Sequence, residues 1–83
     1  MAQEGMFKSD DILEWVRRSP FEPFRLCMSD GRVFDVRHPE LALVSRRFVM
    51  VVEHSDQTPG LVERLHDCAI IHIARLERLA EAG

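Results

Sequence analysis

The sequence predicts a mostly β domain of the α+β class: one N-terminal helix followed by a small, strongly bent five-stranded antiparallel barrel. Three observations carry that expectation. A capped apolar stripe over residues 9–19 has helical spacing and stops at Pro20. From Phe24 the apolar period falls to two and turns at Asp30-Gly31. Phe48-Val49-Met50-Val51-Val52 is then a continuous apolar run of strand length, rich in β-branched residues.

Residues 1–8 read as a loose lead-in. Ser9-Asp10-Asp11 supplies short oxygen-bearing side chains that accept hydrogen bonds from the free amides of a helix start, with Asp11 and Glu14 at capping-box spacing. Ile12, Leu13, Trp15 and Val16 form the stripe, and Arg17-Arg18 stand where a helix C-terminus favours cations. In Pro20-Phe21-Glu22-Pro23-Phe24 the two prolines forbid helix, and the phenylalanine rings are placed to pin the helix onto the next element of the chain.

Phe24, Leu26 and Met28 point to one face of the first strand and Arg25, Cys27 and Ser29 to the other. Asp30-Gly31 predicts a hairpin with a type I′ turn. The return strand, 32–37, is interrupted by His38-Pro39-Glu40 before Leu41-Ala42-Leu43-Val44 resumes, as one bent strand or two short ones. Ser45-Arg46-Arg47 is a second turn, 48–52 the core strand, 53–60 a polar loop, and 61–66 a further short strand. Residues 67–82 admit two readings, because Ala69, Ile73, Leu76 and Ala80 fall at helical spacing while Cys68 to Ile73 also reads as a turn entering a strand. Closing the sheet edge favours a strand near 71–77, with a tail over 78–83. The expected core is Ile12, Trp15, Val16, Phe24, Leu26, Phe34, Leu43, Val49, Val51, Ile71 and Ile73.

The 83 residues make one domain, with the barrel over 24–77. A net charge of −3 is neither a strongly basic binder nor an acidic tail. Two cysteines, Cys27 and Cys68, do not make a disulfide framework, which fits a reducing cytoplasm. No stretch reaches the roughly 20 apolar residues of a membrane span, so no membrane partner is expected.

Chemistry-bearing residues are sparse. His66, Asp67, Cys68 and His72 are donor types that bind transition metals, but they lack paired-ligand spacing and read as structural, so neither metal nor cofactor is expected. Gly31 and Gly60 are isolated turn glycines rather than a phosphate-cradling loop, and the carboxylates stand singly. No catalytic constellation emerges, and the chain reads as a non-enzyme. Ten of the eleven basic residues are arginine. Arg32, Arg37, Arg46, Arg47 and Arg64, with Phe48 and His38 nearby, would form a basic rim able to hold phosphates and stack bases if the turns converge. The alternative is that these arginines pair with Asp35, Glu40, Glu53 and Glu63.

The order of elements over residues 10–77 resembles the Sm-like barrel. The resemblance rests on Phe24-Arg25-Leu26-Cys27-Met28-Ser29-Asp30-Gly31-Arg32-Val33-Phe34, similar to that family's first motif. It also rests on Cys68-Ala69-Ile70-Ile71-His72-Ile73, similar to the turn and last strand of its second. The same features occur in SH3-like barrels. Pro20-Phe21-Glu22-Pro23-Phe24, Ser29-Asp30-Gly31-Arg32 and His38-Pro39-Glu40 resemble a family of uncharacterised small bacterial proteins. The Sm-like resemblance implies a homo-oligomeric ring, made by pairing the fourth strand of one subunit with the fifth of the next, that binds single-stranded RNA. Asp67-Cys68 stands where the bacterial RNA-chaperone branch carries Lys-His, and the chain contains no Asn for the RNA pocket of the other branches. The expected function is a binding or assembly module that self-associates through strand edges and engages a protein partner, with single-stranded RNA at the arginine rim as the alternative.

Overall fold

Lys8 and Asp11 open the helix together: the Lys8 backbone N–H donates to Asp11 Oδ2 at 2.8 Å. An orphan amide is thereby satisfied by a carboxylate that also complements the positive end of the helix dipole. The cap therefore lies one residue earlier than expected, and the box pairs Lys8 with Asp11 rather than Asp11 with Glu14. The computed structural model describes residues 7–79, so most of the lead-in (1–6) and the end of the tail (80–83) lie outside the described residues. Helix α1 (Ser9–Val16) stops short of the expected residue 19. The Arg17 N–H closes its last turn on the Leu13 carbonyl at 2.8 Å, and Ser19, preceding a proline, is steered away from helical backbone.

The helix buries Ile12 completely and leans Trp15 on Phe24, with ring centroids 5.4 Å apart and edge to face. Phe21 meets the same ring at 6.1 Å. Burying side chains of this size stabilises by about 1.5–3 kcal/mol each, so Phe24, fully buried beneath both aromatics, is the anchor of the helix. Arg18 lies over Trp15 at 4.2 Å and pairs with Glu22, which also takes Arg78.

Six strands follow: β1 (Phe24–Met28), β2 (Val33–Val36), β3 (Ala42–Val44), β4 (Phe48–His54), β5 (Val62–Ala69) and β6 (Ile73–Arg78). They form two three-stranded antiparallel sheets, ordered β2-β1-β6 and β3-β4-β5. The mostly β, α+β class stands as expected, but the strongly bent five-stranded barrel is replaced by two three-stranded sheets. The chain passes between the sheets at two 3₁₀ turns, Pro39–Leu41 and Ile70–His72. Pro39 has no N–H for a ladder, and of the two readings, one bent strand or two short ones, the second holds: β2 lies in one sheet and β3 in the other. The second turn ends β5 and delivers β6 to the opposite side of β1 from β2. The helical reading of 67–82 is thereby set aside for the described residues.

The hairpin between β1 and β2 also departs from expectation. Only Gly31 has positive φ, 96°, and Asp30 does not, so the turn is not type I′. The Met28 N–H donates to the Arg32 carbonyl at 2.8 Å, leaving a three-residue connection with glycine at the left-handed position. The Asp30 side chain accepts from the Arg32 N–H at 3.0 Å and so stiffens the corner.

Between the sheets lie Ile12, Phe24, Leu26, Met28, Val36, Ala42, Val49, Val51, Cys68, Ile70 and Ile73, flanked by partly buried Trp15, Val16 and Phe34. Two expected core residues are outside: Leu43 is 52% exposed and Ile71 76%. In β3 the alternation turns Ala42 inward, which sends Leu43 out. At the second 3₁₀ turn Ile70 takes the core position, and its neighbour is left in solvent.

Candidate functional site

The turn between β3 and β4 is the most tightly built corner near an exposed aromatic. Ser45 Oγ donates to the Phe48 carbonyl at 3.0 Å and accepts from the Phe48 N–H at 3.1 Å, while the Ser45 N–H also reaches that carbonyl at 2.8 Å. The Arg47 carbonyl accepts from the Ile70 N–H at 2.9 Å, which fastens this corner to the second 3₁₀ turn. The Ser29 N–H donates to the His72 carbonyl at 2.8 Å and brings in the β1–β2 hairpin from the other side. Three sequence-distant turns thus converge, as the basic rim requires.

Not all of the arginines come with them. Arg46, Arg47 and Phe48 border one hollow of about 480 Å³, together with Lys8 and Ile71. Arg32 reaches a second hollow of about 310 Å³ that shares Phe48, but its Nε is held by Asp30 at 2.8 Å and its guanidinium lies 5.8 Å from the Phe34 ring. Arg37 is drawn to Asp35 at 3.4 Å and lines neither hollow. Arg64 stands in register with Glu53, five residues along β4 from Phe48, about 17 Å away at ~3.3 Å per strand residue. It is also on the opposite face: Phe48, Met50 and Val52 pair with Ala69, Asp67 and Leu65, whereas Glu53 and Arg64 belong with buried Val49, Val51 and Cys68. The continuous rim of six residues is therefore two groups and two outliers.

Among the described residues, the side-chain nitrogens of Lys8, Arg46 and Arg47 have no carboxylate oxygen within 4.0 Å, the Asp11 carboxylate being held by the Lys8 backbone N–H. Of the carboxylates expected to quench the arginines, only Asp35 does so, holding Arg25 and Arg37; Glu53 pairs with His66 at 2.9 Å instead. Lys8 was hidden from sequence reasoning because it sits in the lead-in, and the helix cap alone brings it beside Arg46.

The metal-donor group falls apart in three dimensions. His66 and Cys68 face the core side of β5, Asp67 faces away, and no three His, Cys, Asp or Glu side chains gather among the described residues. Cys68 is 1% exposed, and burial pushes its thiol above the usual range; Cys27 is buried in the other sheet.

Compared with family models, curated proteins and solved structures, the chain matches none. The surface must be read from its own chemistry. It offers a hollow with an apolar floor and a cationic rim. Among the described residues, no helix is long and apolar enough to cross a membrane.

Proposed function

We propose that the chain is a non-enzymatic assembly module, in the manner of small Sm-like or SH3-like domains, that self-associates through the edges of β5 and β6. One observation carries this reading: β5, eight residues long, is the last strand of its sheet and exposes Val62 and Leu65, at 43% and 57%. A long strand without a ladder partner on one side is a template for another strand, and Val62 and Leu65 add apolar surface to it between the charged Glu63, Arg64 and Asp67. β6 ends the other sheet and supplies a second free edge. A β5-to-β6 contact is heterologous, so it propagates around a closed ring of identical copies when the rotation permits.

The thiols support a reducing compartment, the cytoplasm, because Cys27 and Cys68 lie in different sheets and are both free. Neither is placed for nucleophilic chemistry, since both are buried.

The test is light scattering on the full chain, with Leu65→Glu as the comparison. The expected result is a particle of several chain masses that falls to one chain mass in Leu65→Glu, with unchanged far-UV circular dichroism. A wild-type chain that stays monomeric at high micromolar concentration would overturn the reading.

A further inference from the structure

Phe48 stands where three hollows meet, and their charges differ. On one side the hollow of about 480 Å³ carries Lys8, Arg46 and Arg47 at its rim and Ile71 on its wall, with no carboxylate lining it among the described residues. On the other side, hollows of about 310 and 280 Å³ both include Asp67, the first also holding Arg32, whose charge is paired with Asp30 at 2.8 Å. Among the described residues Asp67 has no cation within 4.0 Å. A step from positive to negative therefore runs across one aromatic ring that is 46% exposed.

We propose that this surface captures a short linear segment of a partner protein: a bulky apolar anchor with Asp or Glu on one side and neutral or basic residues on the other. The anchor lies against Phe48 and Ile71, which is 76% exposed and the most exposed of the large apolar residues. Apolar surface of this kind gains from burial whatever the partner. The charge step decides which partner. Acidic side chains meet three cations that form no ion pair among the described residues, and the opposite flank of the segment meets Asp67. Complementary charge arranged this way fixes orientation and rejects wrong partners.

A polynucleotide fits less well. It carries a negative charge at every residue, so a strand crossing Phe48 sets a phosphate against Asp67. A uniformly basic segment fails at the other end, against Lys8, Arg46 and Arg47. The volume of the larger hollow lies within the range that takes one or two bulky side chains or a small molecule. The inference rests on reading the chain as a binding module; Leu65 lies two residues from Asp67 on the same face of β5, so the two readings are told apart by peptide binding and particle mass rather than by place.

The test pans a random-peptide phage library against the full chain and titrates a fluorescein-labelled recovered peptide by anisotropy. Recovered sequences are expected to place Asp or Glu on one side only of Leu, Ile, Phe or Trp. Charge reversal in R46E/R47E is expected to weaken binding about tenfold or more, and Arg17→Ala to change it less than about twofold. R46Q/R47Q, expected to lose less, serves if the double reversal fails to fold by circular dichroism. Asp67→Ala is expected to admit peptides acidic on both sides. No enrichment, enrichment without charge asymmetry, or displacement of the peptide by a mixed-sequence single-stranded RNA would each overturn the proposal. Light scattering on the same samples separates the two readings. Oligomers that enrich no peptide defeat this inference alone, and monomers that enrich acidic anchors defeat only self-association.

Discussion

The imidazole of His66 on β5 lies 4.9 Å from the ring of Phe34 on β2, so this pair joins strands that belong to different sheets. Its other side is held by Glu53, whose Oε2 is 2.9 Å from His66 Nε2. Side-chain stacking is thus what ties β2 to β5, because the two strands share no backbone ladder. Phe34→Ala and His66→Ala are expected to be non-additive, with a coupling of about 0.5–1 kcal/mol in a double-mutant cycle read by urea denaturation. Additive losses would show that the rings are neighbours without an energetic link.

Gly31 isolates a pure backbone effect. A methyl group added there meets nothing within 4 Å, yet φ is 96°, a region that L side chains rarely adopt. Gly31→Ala is therefore expected to cost about 1 kcal/mol or somewhat more, entirely from conformation. Gly31→Asn, which tolerates that region better, should recover part of the loss. Thermal melts of the three proteins decide it, and equal midpoints for Ala and Gly would contradict the account.

Most of the element order was legible because it rests on local chemistry: the proline stop after α1, the period-two alternation of β1, and the apolar run of β4. The two-sheet arrangement was not legible. It depends on where the strands are cut and which sheet each piece joins: His38-Pro39-Glu40 marks the first interruption, but the second 3₁₀ turn, with Ile70 and Ile71, looks like strand continuation. The candidate site was half legible. Arg46, Arg47 and Phe48 are adjacent in sequence, but Lys8 and Asp67 join them only through the helix cap and the β4–β5 register.

Asp35 ties the outer face of the first sheet together. Arg25 Nε donates to its Oδ1 at 2.8 Å, and Arg25 and Arg37 both reach its Oδ2 at 3.4 Å. The hydrogen bonds from Arg25 hold the Asp35 carboxyl below the usual carboxylate range. A carboxyl lowered in the folded state binds its proton less readily there than in the unfolded chain. Its stabilising contribution is thus complete above the unfolded value of about 3.9 and is lost as pH falls through the lower folded value. Asp35→Asn is expected to lower stability at neutral pH and to flatten the fall in stability below about pH 4. Urea midpoints measured from pH 2 to 7 test this, and an acid limb as steep as that of the parent would refute it.

Both thiols should be slow to react. Cys27 is 4% exposed and Cys68 1%, and burial raises the Cys68 thiol, which lowers the thiolate fraction available for attack. With Ellman's reagent at pH 8, neither is expected to react appreciably in the native protein, and both to react at once in denaturant. Rapid reaction of Cys68 without denaturant would mean that the layer between the sheets opens readily.

Ile70 and Ile71 put the second 3₁₀ turn to its sharpest test, since the same side chain occurs twice in adjacent positions with opposite surroundings. Ile70 is 3% exposed and packs with Val49, Cys68 and Ile73 in the core, whereas Ile71 is 76% exposed. Truncating a buried isoleucine loses its transfer free energy and leaves a cavity, so Ile70→Ala is expected to cost about 2–4 kcal/mol. An exposed one loses little, so Ile71→Ala should stay within about 0.5 kcal/mol. The turn also carries the Ile70 N–H to the Arg47 carbonyl, so a loosened Ile70→Ala turn should blunt peptide binding through altered placement of Arg47. In Ile71→Ala the fold is kept and only the apolar wall of the hollow is lost. Equal destabilisation by the two substitutions would mean that the chain leaves β5 with the opposite face inward, as a continuous strand through Ile71 requires.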